Sequence, residues 1–351
     1  MVPYWLLFGL WLVGAIHFGR RSEKANSPLP FVAACIVTAL MIGLRYRVGG
    51  DWEPYLNIYE MIYFQPLGPA LAITDPAYAV LNWMSAQMDS GIWFVNLACA
   101  ILFVAGIGRL ASRQPQPWLA MLIAVPYFMI VVAMGYTRQA AAIGIVCFAI
   151  ADATDRNIMR TVIYIGIAAL FHKTALLMLP LVLGPVAMRR VFTAIAGVIV
   201  FGVLFVFLLK DNSDQMIANY AQSSYDSQGA GVRLAMNAVA GGVLLVFRQR
   251  LGFEPYQRSF WTFNASLSFV AVLALFLLSA SSGVDRISLF LIPLQMVVLS
   301  RLPLALSGSH KPVLSVTLGV FAYCFAIQFV WLNFADNANS WLPYSTVLVP
   351  S

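Results

Sequence analysis

Runs of apolar residues with almost no charge interrupt this chain at short intervals, and that repetition limits what it can fold into more than any other feature. Twelve runs, at about 3–18, 30–44, 91–108, 118–134, 139–152, 158–171, 174–187, 192–209, 232–247, 259–278, 286–302 and 313–334, are long enough to cross or nearly cross a bilayer. Soluble domains are about a quarter charged, whereas this chain is 10% charged and 61% hydrophobic. The expectation is an all-α polytopic membrane protein of about twelve transmembrane helices, a single integral membrane domain over residues 1–351. The first run leads into Gly19-Arg20-Arg21 instead of a small-residue cleavage site, so it reads as a retained helix.

Pro76 to Met88 has a different pattern. Tyr78, Leu81, Met84 and Met88 recur at helical spacing between Asn82, Ser85 and Gln87, the mark of an amphipathic helix lying on or dipping into the membrane. With that segment kept out of the count, the loops fall into two sets. One holds fourteen of the 21 Lys and Arg residues and the other seven: Arg45, Arg47, Arg138, Lys173, Lys210, Arg233 and Arg286. The richer side is expected to be cytoplasmic. Both termini and the amphipathic helix would then face outward, on the periplasmic side.

This sorting excludes several functions. A formal charge of +7 reports topology before any nucleic-acid partner. The cytoplasmic loops are about eleven residues at most, too short for a nucleotide-binding domain of on the order of a hundred residues. Neither a Walker A pattern nor a dinucleotide fingerprint occurs, and no cofactor is expected. Cys35, Cys99, Cys147 and Cys324 each sit alone in an apolar run and read as buried small hydrophobes.

The outward loops are longer. Residues 45–90 and 210–231 are the expected active-site cover, the second carrying Tyr220, Tyr225, Asp226 and Gln228, groups that hydrogen-bond and stack on sugars. The stretch Arg45-Tyr46-Arg47-Val48-Gly49-Gly50-Asp51-Trp52-Glu53-Pro54-Tyr55 places two arginines and two acids where a lipid-facing surface would have none. Five of the seven outward cations are arginine, the side chain suited to gripping phosphate with two parallel bonds. Arg138 precedes one span and Arg286 opens another.

Runs 158–171 and 174–187 are fourteen residues each, about 21 Å of helix against a hydrocarbon core of about 30 Å. The turn at His172-Lys173 is therefore expected in a recess below headgroup level, where ionisable groups are functional candidates. His172 and Asp51 stand as alternatives for a general base. No Asp-x-Asp occurs, and guanidiniums can neutralise a pyrophosphate leaving group in place of a metal.

The Val48-Gly49-x-Asp51-aromatic-x-x-Tyr55 core, Arg138-Gln139 before small residues, His172-Lys173-Thr174-Ala175, the late Arg286 and Trp341-Leu342-Pro343-Tyr344 together resemble the EpsG-like, Wzy-type polysaccharide polymerases. Gly50 stands where the family often has threonine. The resemblance implies a GT-C-like, metal-independent membrane glycosyltransferase on the outer face of the bacterial inner membrane. It would move a growing glycan from undecaprenyl pyrophosphate to a lipid-linked repeat unit. In that role Arg45, Arg47, Arg138, Arg286, Lys173 and Arg233 would hold pyrophosphate, Asp51 or His172 would activate the acceptor, and Trp52, Tyr55 and Tyr225 would contact sugar. A chain-length regulator and a flippase are the further partners this role invites. The rivals are a flippase or transporter of the lipid-linked oligosaccharide, and a membrane acyltransferase built on an intramembrane histidine.

Overall fold

The computed structural model describes residues 1–18, 28–154, 157–187, 229–277, 281–307 and 311–348. Every predicted apolar run falls on a helix except 192–209, which lies outside the described residues. In chain order the helices are α1 Val2–His17, α2 Leu29–Gly43, α3 Trp52–Tyr63, α4 Leu67–Ala70, α5 Pro76–Gln87, α6 Gly91–Ser112 and α7 Pro117–Ala124. There follow α8 Thr137–Ile150, α9 Ile158–Phe171, α10 Met178–Ala187, α11 Ala230–Phe247, α12 Pro255–Leu277, α13 Ser281–Ser288, α14 Pro293–Ala305 and α15 Leu314–Phe334. A π-helix, Val125–Ala133, prolongs α7, and 3-10 turns cover Lys173–Leu177, Leu289–Leu291 and Asp336–Ser340. The one β feature among the described residues is an isolated bridge between Arg45 and Thr346.

Among the described residues, five helical stretches are long and apolar enough to cross a membrane: Gly91–Ser112, Ala230–Phe247, Pro255–Leu277, Val284–Ala305 and Leu314–Phe334. Six more are apolar but shorter. Their outward faces carry exposed large apolar side chains at helical spacing, such as Met159, Ile163, Ile167 and Leu170 on α9 and Phe269, Val270, Leu273 and Phe276 on α12. Water would penalise so much exposed carbon, but lipid does not. The chain is a helical membrane protein.

The helices form two compact units: Met1–Ala151, Ile167–Lys173 and Leu318–Ser351 in the first, Asp152–Gly166 and Thr174–Thr317 in the second. Inside the first, α6 and α8 pack backbone to backbone, because Gly106 and Gly144 face each other with no room for a Cβ on either. Without a hydrophobic drive between helices in lipid, such small-residue contacts let dispersion do the holding. In the second, Asn237 on α11 donates to the Ser288 carbonyl (3.1 Å) and accepts from Gln295 (2.7 Å).

The segment 45–90, expected as a loop cover, is mostly helical. The predicted amphipathic helix is α5, and α3 and α4 precede it. Ile62, Ala70 and Ala79, with Ile58, Ile73 and Trp83 against them, give these three helices a small apolar core of their own. The other expected cover segment lies, up to residue 228, outside the described residues.

The end of the chain straps the 44–49 segment down. Tyr46 N–H donates to the Ser345 carbonyl (3.0 Å), Gly49 N–H to Ser340 (2.8 Å) and Val347 N–H to Leu44 (2.9 Å). Trp341 anchors the strap: its indole donates to the Ile130 carbonyl (2.9 Å) and its own carbonyl accepts from the Tyr4 hydroxyl (2.6 Å). Gly135 lies so close to that indole that a Cβ would collide with it at 2.7 Å.

Candidate functional site

Arg45 follows α2 and is 1% exposed. It donates from Nε to the Val48 carbonyl (3.0 Å), from Nη1 to Ile42 (2.7 Å) and from Nη2 to the Thr137 hydroxyl (2.7 Å). A buried guanidinium is tolerated only when its donors are used, and these three bonds tie the end of α2, the turn after it and the start of α8 together. Arg47, two residues on, is exposed and lies over the Tyr46 ring at 5.4 Å. Gly49 has φ +109°, in the region that favours glycine, and a Cβ there would run into the Met134 carbonyl. This kink brings Asp51 to the head of α3, as its N-cap residue.

One turn into α3, Tyr55 is buried beside Tyr78 of α5, ring centroids 5.6 Å apart. The Arg138 guanidinium, from the first turn of α8, lies over both rings at 5.7 and 5.8 Å. Its Nη1 donates to the Thr74 hydroxyl (2.7 Å) and to Asp75 Oδ2 (3.0 Å). The same Oδ2 faces His172 Nδ1 at 3.8 Å, from the end of α9. Asp75 is 6% exposed and the Arg138 side chain 25%, so the carboxylate is enclosed while the arginine is only partly so. Arg138 Nε is buried without a hydrogen-bond partner. Burial, and next the Asp51 charge, push the Tyr55 hydroxyl up to about 12 against the opposing pull of Arg138, and burial pushes Tyr78 well above the ordinary tyrosine value. Both phenols stay protonated at neutral pH and can take part only as neutral hydrogen-bonding groups.

The site therefore joins α3, the turn before α5, the head of α8 and the end of α9, with the buried aromatic faces under the cation. Charge counting assigns the ends of α2, α8 and α9 that meet here to one side of the membrane. The EpsG family pattern matches residues 29–346, nearly the whole chain and all of these elements. The chain belongs to the EpsG family. Family membership points to a polysaccharide-polymerising type of role. No curated protein matches the chain, and no solved structure does.

Of the residues the sequence singled out, this EpsG-family chain brings Arg138, His172 and Tyr55 together and sets Asp51 one turn from Tyr55. Lys173 follows His172 and is half-buried. Trp52 is buried edge-on to Tyr46 at 5.9 Å. Arg233 and Arg286 belong to the second unit. There Arg233 makes a bidentate pair with Asp285, Nε to Oδ1 (2.5 Å) and Nη2 to Oδ2 (2.6 Å), and Arg286 is the next residue on α13. Tyr225 lies outside the described residues.

Sequence reasoning gave no role to Thr74, Asp75 or Tyr78. Asp75-Pro76 reads as an ordinary helix start, with aspartate as cap and proline in the first turn. The Asp75 side chain makes no capping hydrogen bond and points to Arg138 and His172 instead. Tyr78 passed for part of the apolar stripe of α5. No sequence signal separates this aspartate from an ordinary capping one; only the structure does.

Proposed function

We propose that the chain is a membrane glycosyltransferase that polymerises polysaccharide, transferring a growing glycan from undecaprenyl pyrophosphate to the non-reducing end of a lipid-linked repeat unit. In this reading the site faces outward from the bacterial inner membrane, within a GT-C-like set of about twelve spans. The acceptor hydroxyl attacks the anomeric carbon while the bond from that carbon to the pyrophosphate oxygen breaks. The electron pair leaves on the phosphate oxygen, which the Arg138 guanidinium neutralises in place of a metal. The hydroxyl proton passes to His172.

The observation that carries this reading is the convergence of Arg138 and His172 on one buried carboxylate, beside the buried rings of Tyr55 and Tyr78. A cation for a diphosphate and a base for a hydroxyl are thereby held within one side chain of each other. His172 is preferred over Asp51 because it shares Asp75 with the cation, whereas Asp51 lies toward Tyr55 and suits a sugar hydroxyl. Arg47 and Lys173 are the further cations in reach of an incoming headgroup. Arg45 is committed to the fold by its three hydrogen bonds. Arg286 requires its own test, since it belongs to the second unit.

The test is alanine substitution at Arg138 and at His172, with expression checked by immunoblot and polymer length read on a gel. Loss of long polymer from both stably expressed variants is expected, and full-length polymer from both would overturn the assignment. Purified protein in detergent should lengthen glycan on lipid-linked repeats. A flippase would not, because transport needs two compartments.

A further inference from the structure

Asp75 carries more than one ion pair can account for. Its carboxylate is enclosed, sits at the head of α5 without capping it, and presents one oxygen to groups from two other helices: Arg138 Nη1 at 3.0 Å and His172 Nδ1 at 3.8 Å. Asp285 in the second unit is held differently, by two parallel bonds from the one guanidinium of Arg233. Here the guanidinium spends one nitrogen on both Thr74 and Asp75. The ionisable groups around the imidazole are Asp75 before α5, Arg138 on α8, the protonated Tyr55 and Tyr78 behind that guanidinium, and Lys173 next in the chain.

We infer that Asp75 is the positioning residue of the transfer site: it fixes His172 with the proton on Nδ1, so that Nε2 receives the proton of the acceptor hydroxyl, and it holds Arg138 beside that imidazole. An imidazole has one donor and one acceptor nitrogen when neutral; Asp75 Oδ2 stands 3.8 Å from Nδ1, an ion-pair separation longer than a hydrogen bond, and closing it puts the donor on Nδ1. As the proton arrives, the imidazolium forms against the carboxylate, while negative charge develops on the phosphate oxygen at Arg138. A single side chain thus spaces the two charges that appear in the transition state. This inference rests on the polymerase reading and adds the device that orients its base.

The test uses full-length protein in detergent with a lipid-linked repeat unit as both donor and acceptor, comparing D75N, H172A and the double variant. The amide oxygen of D75N still accepts from Arg138, so KM for the donor should change less than about threefold, while turnover falls on the order of 100-fold. In the H172A background D75N should cost less than about threefold more, because it then has no base to orient. Nitrogen NMR of histidine-labelled wild type, with His172 assigned by H172Q, should show the proton on Nδ1, and this reading does not require D75N to fold. Additive losses from the two substitutions, or a His172 proton on Nε2, would overturn the inference and leave polymerisation standing. A wild-type protein that lengthens no glycan would overturn both.

Discussion

Replacing Arg45 by lysine keeps its charge and removes most of what the side chain does. Arg45 makes three hydrogen bonds, to the carbonyls of Ile42 and Val48 and to the Thr137 hydroxyl, from a position 1% exposed. A lysine ammonium at the same place can reach one of those acceptors well, leaving two buried oxygens unsatisfied. At about 1.5 kcal/mol for each hydrogen bond from a charged donor, R45K loses about 3 kcal/mol. For a unit of this size roughly 3 °C accompanies each kcal/mol, so the midpoint in a detergent thermal-shift assay should fall by roughly 10 °C. R45A should fall at least as far, and R47A, on an exposed side chain, by about 2 °C or less. Unchanged melting in R45K together with lost polymerisation would refute the reasoning, since it would make Arg45 a ligand of phosphate and not a pin for the turn.

Three more outcomes follow from the geometry. In the second unit, D285N leaves Arg233 without its charged partner and should destabilise by about 3–5 kcal/mol, whereas a double exchange of Arg233 and Asp285 for apolar residues should recover most of the yield; fluorescence-detected size exclusion checks both. G49A places a methyl group against the Met134 carbonyl at a φ of +109°, and by strain alone should cost about 1–3 kcal/mol, again read as a melting shift. Tyr55 ionises near 12 when folded, against 10 for an ordinary tyrosine. Between those values the unfolded chain sheds a proton that the folded one keeps, so stability should fall as pH rises above about 10, and Y55F should lessen that fall in a pH series of melting curves.

The apolar runs announced their helices because lipid demands that every backbone polar group be satisfied within its own segment, which leaves a periodic apolar signature that no loop shares. The sequence singled out His172 by the shortness of the runs on either side of it and Arg138 as an outward cation at a helix end, and the structure brings both to one carboxylate. The helix α3 was not. Its tyrosines at 55, 59 and 63 and isoleucines at 58 and 62 are spaced as a helix requires, but the charges before it made the whole stretch read as an open mouth. Arg45 was read as a phosphate ligand; in the structure its donors go to two carbonyls three residues to either side and to a hydroxyl 92 residues away, and the last of these no local pattern encodes. Asp75 drew no reading, because in the sequence it is one acid before a proline and its partners lie 63 and 97 residues further on.

The strap of residues 340–347 ties together parts of the chain that are made far apart in time. A chain emerges from the ribosome N-terminus first, so the kinked turn at 44–49 is made well before Ser340, Ser345 and Val347, and cannot be clasped until they follow. A product stopped before α15 would hold Arg138, His172 and Asp75 yet lack the clasp that seats Asp51 at the head of α3.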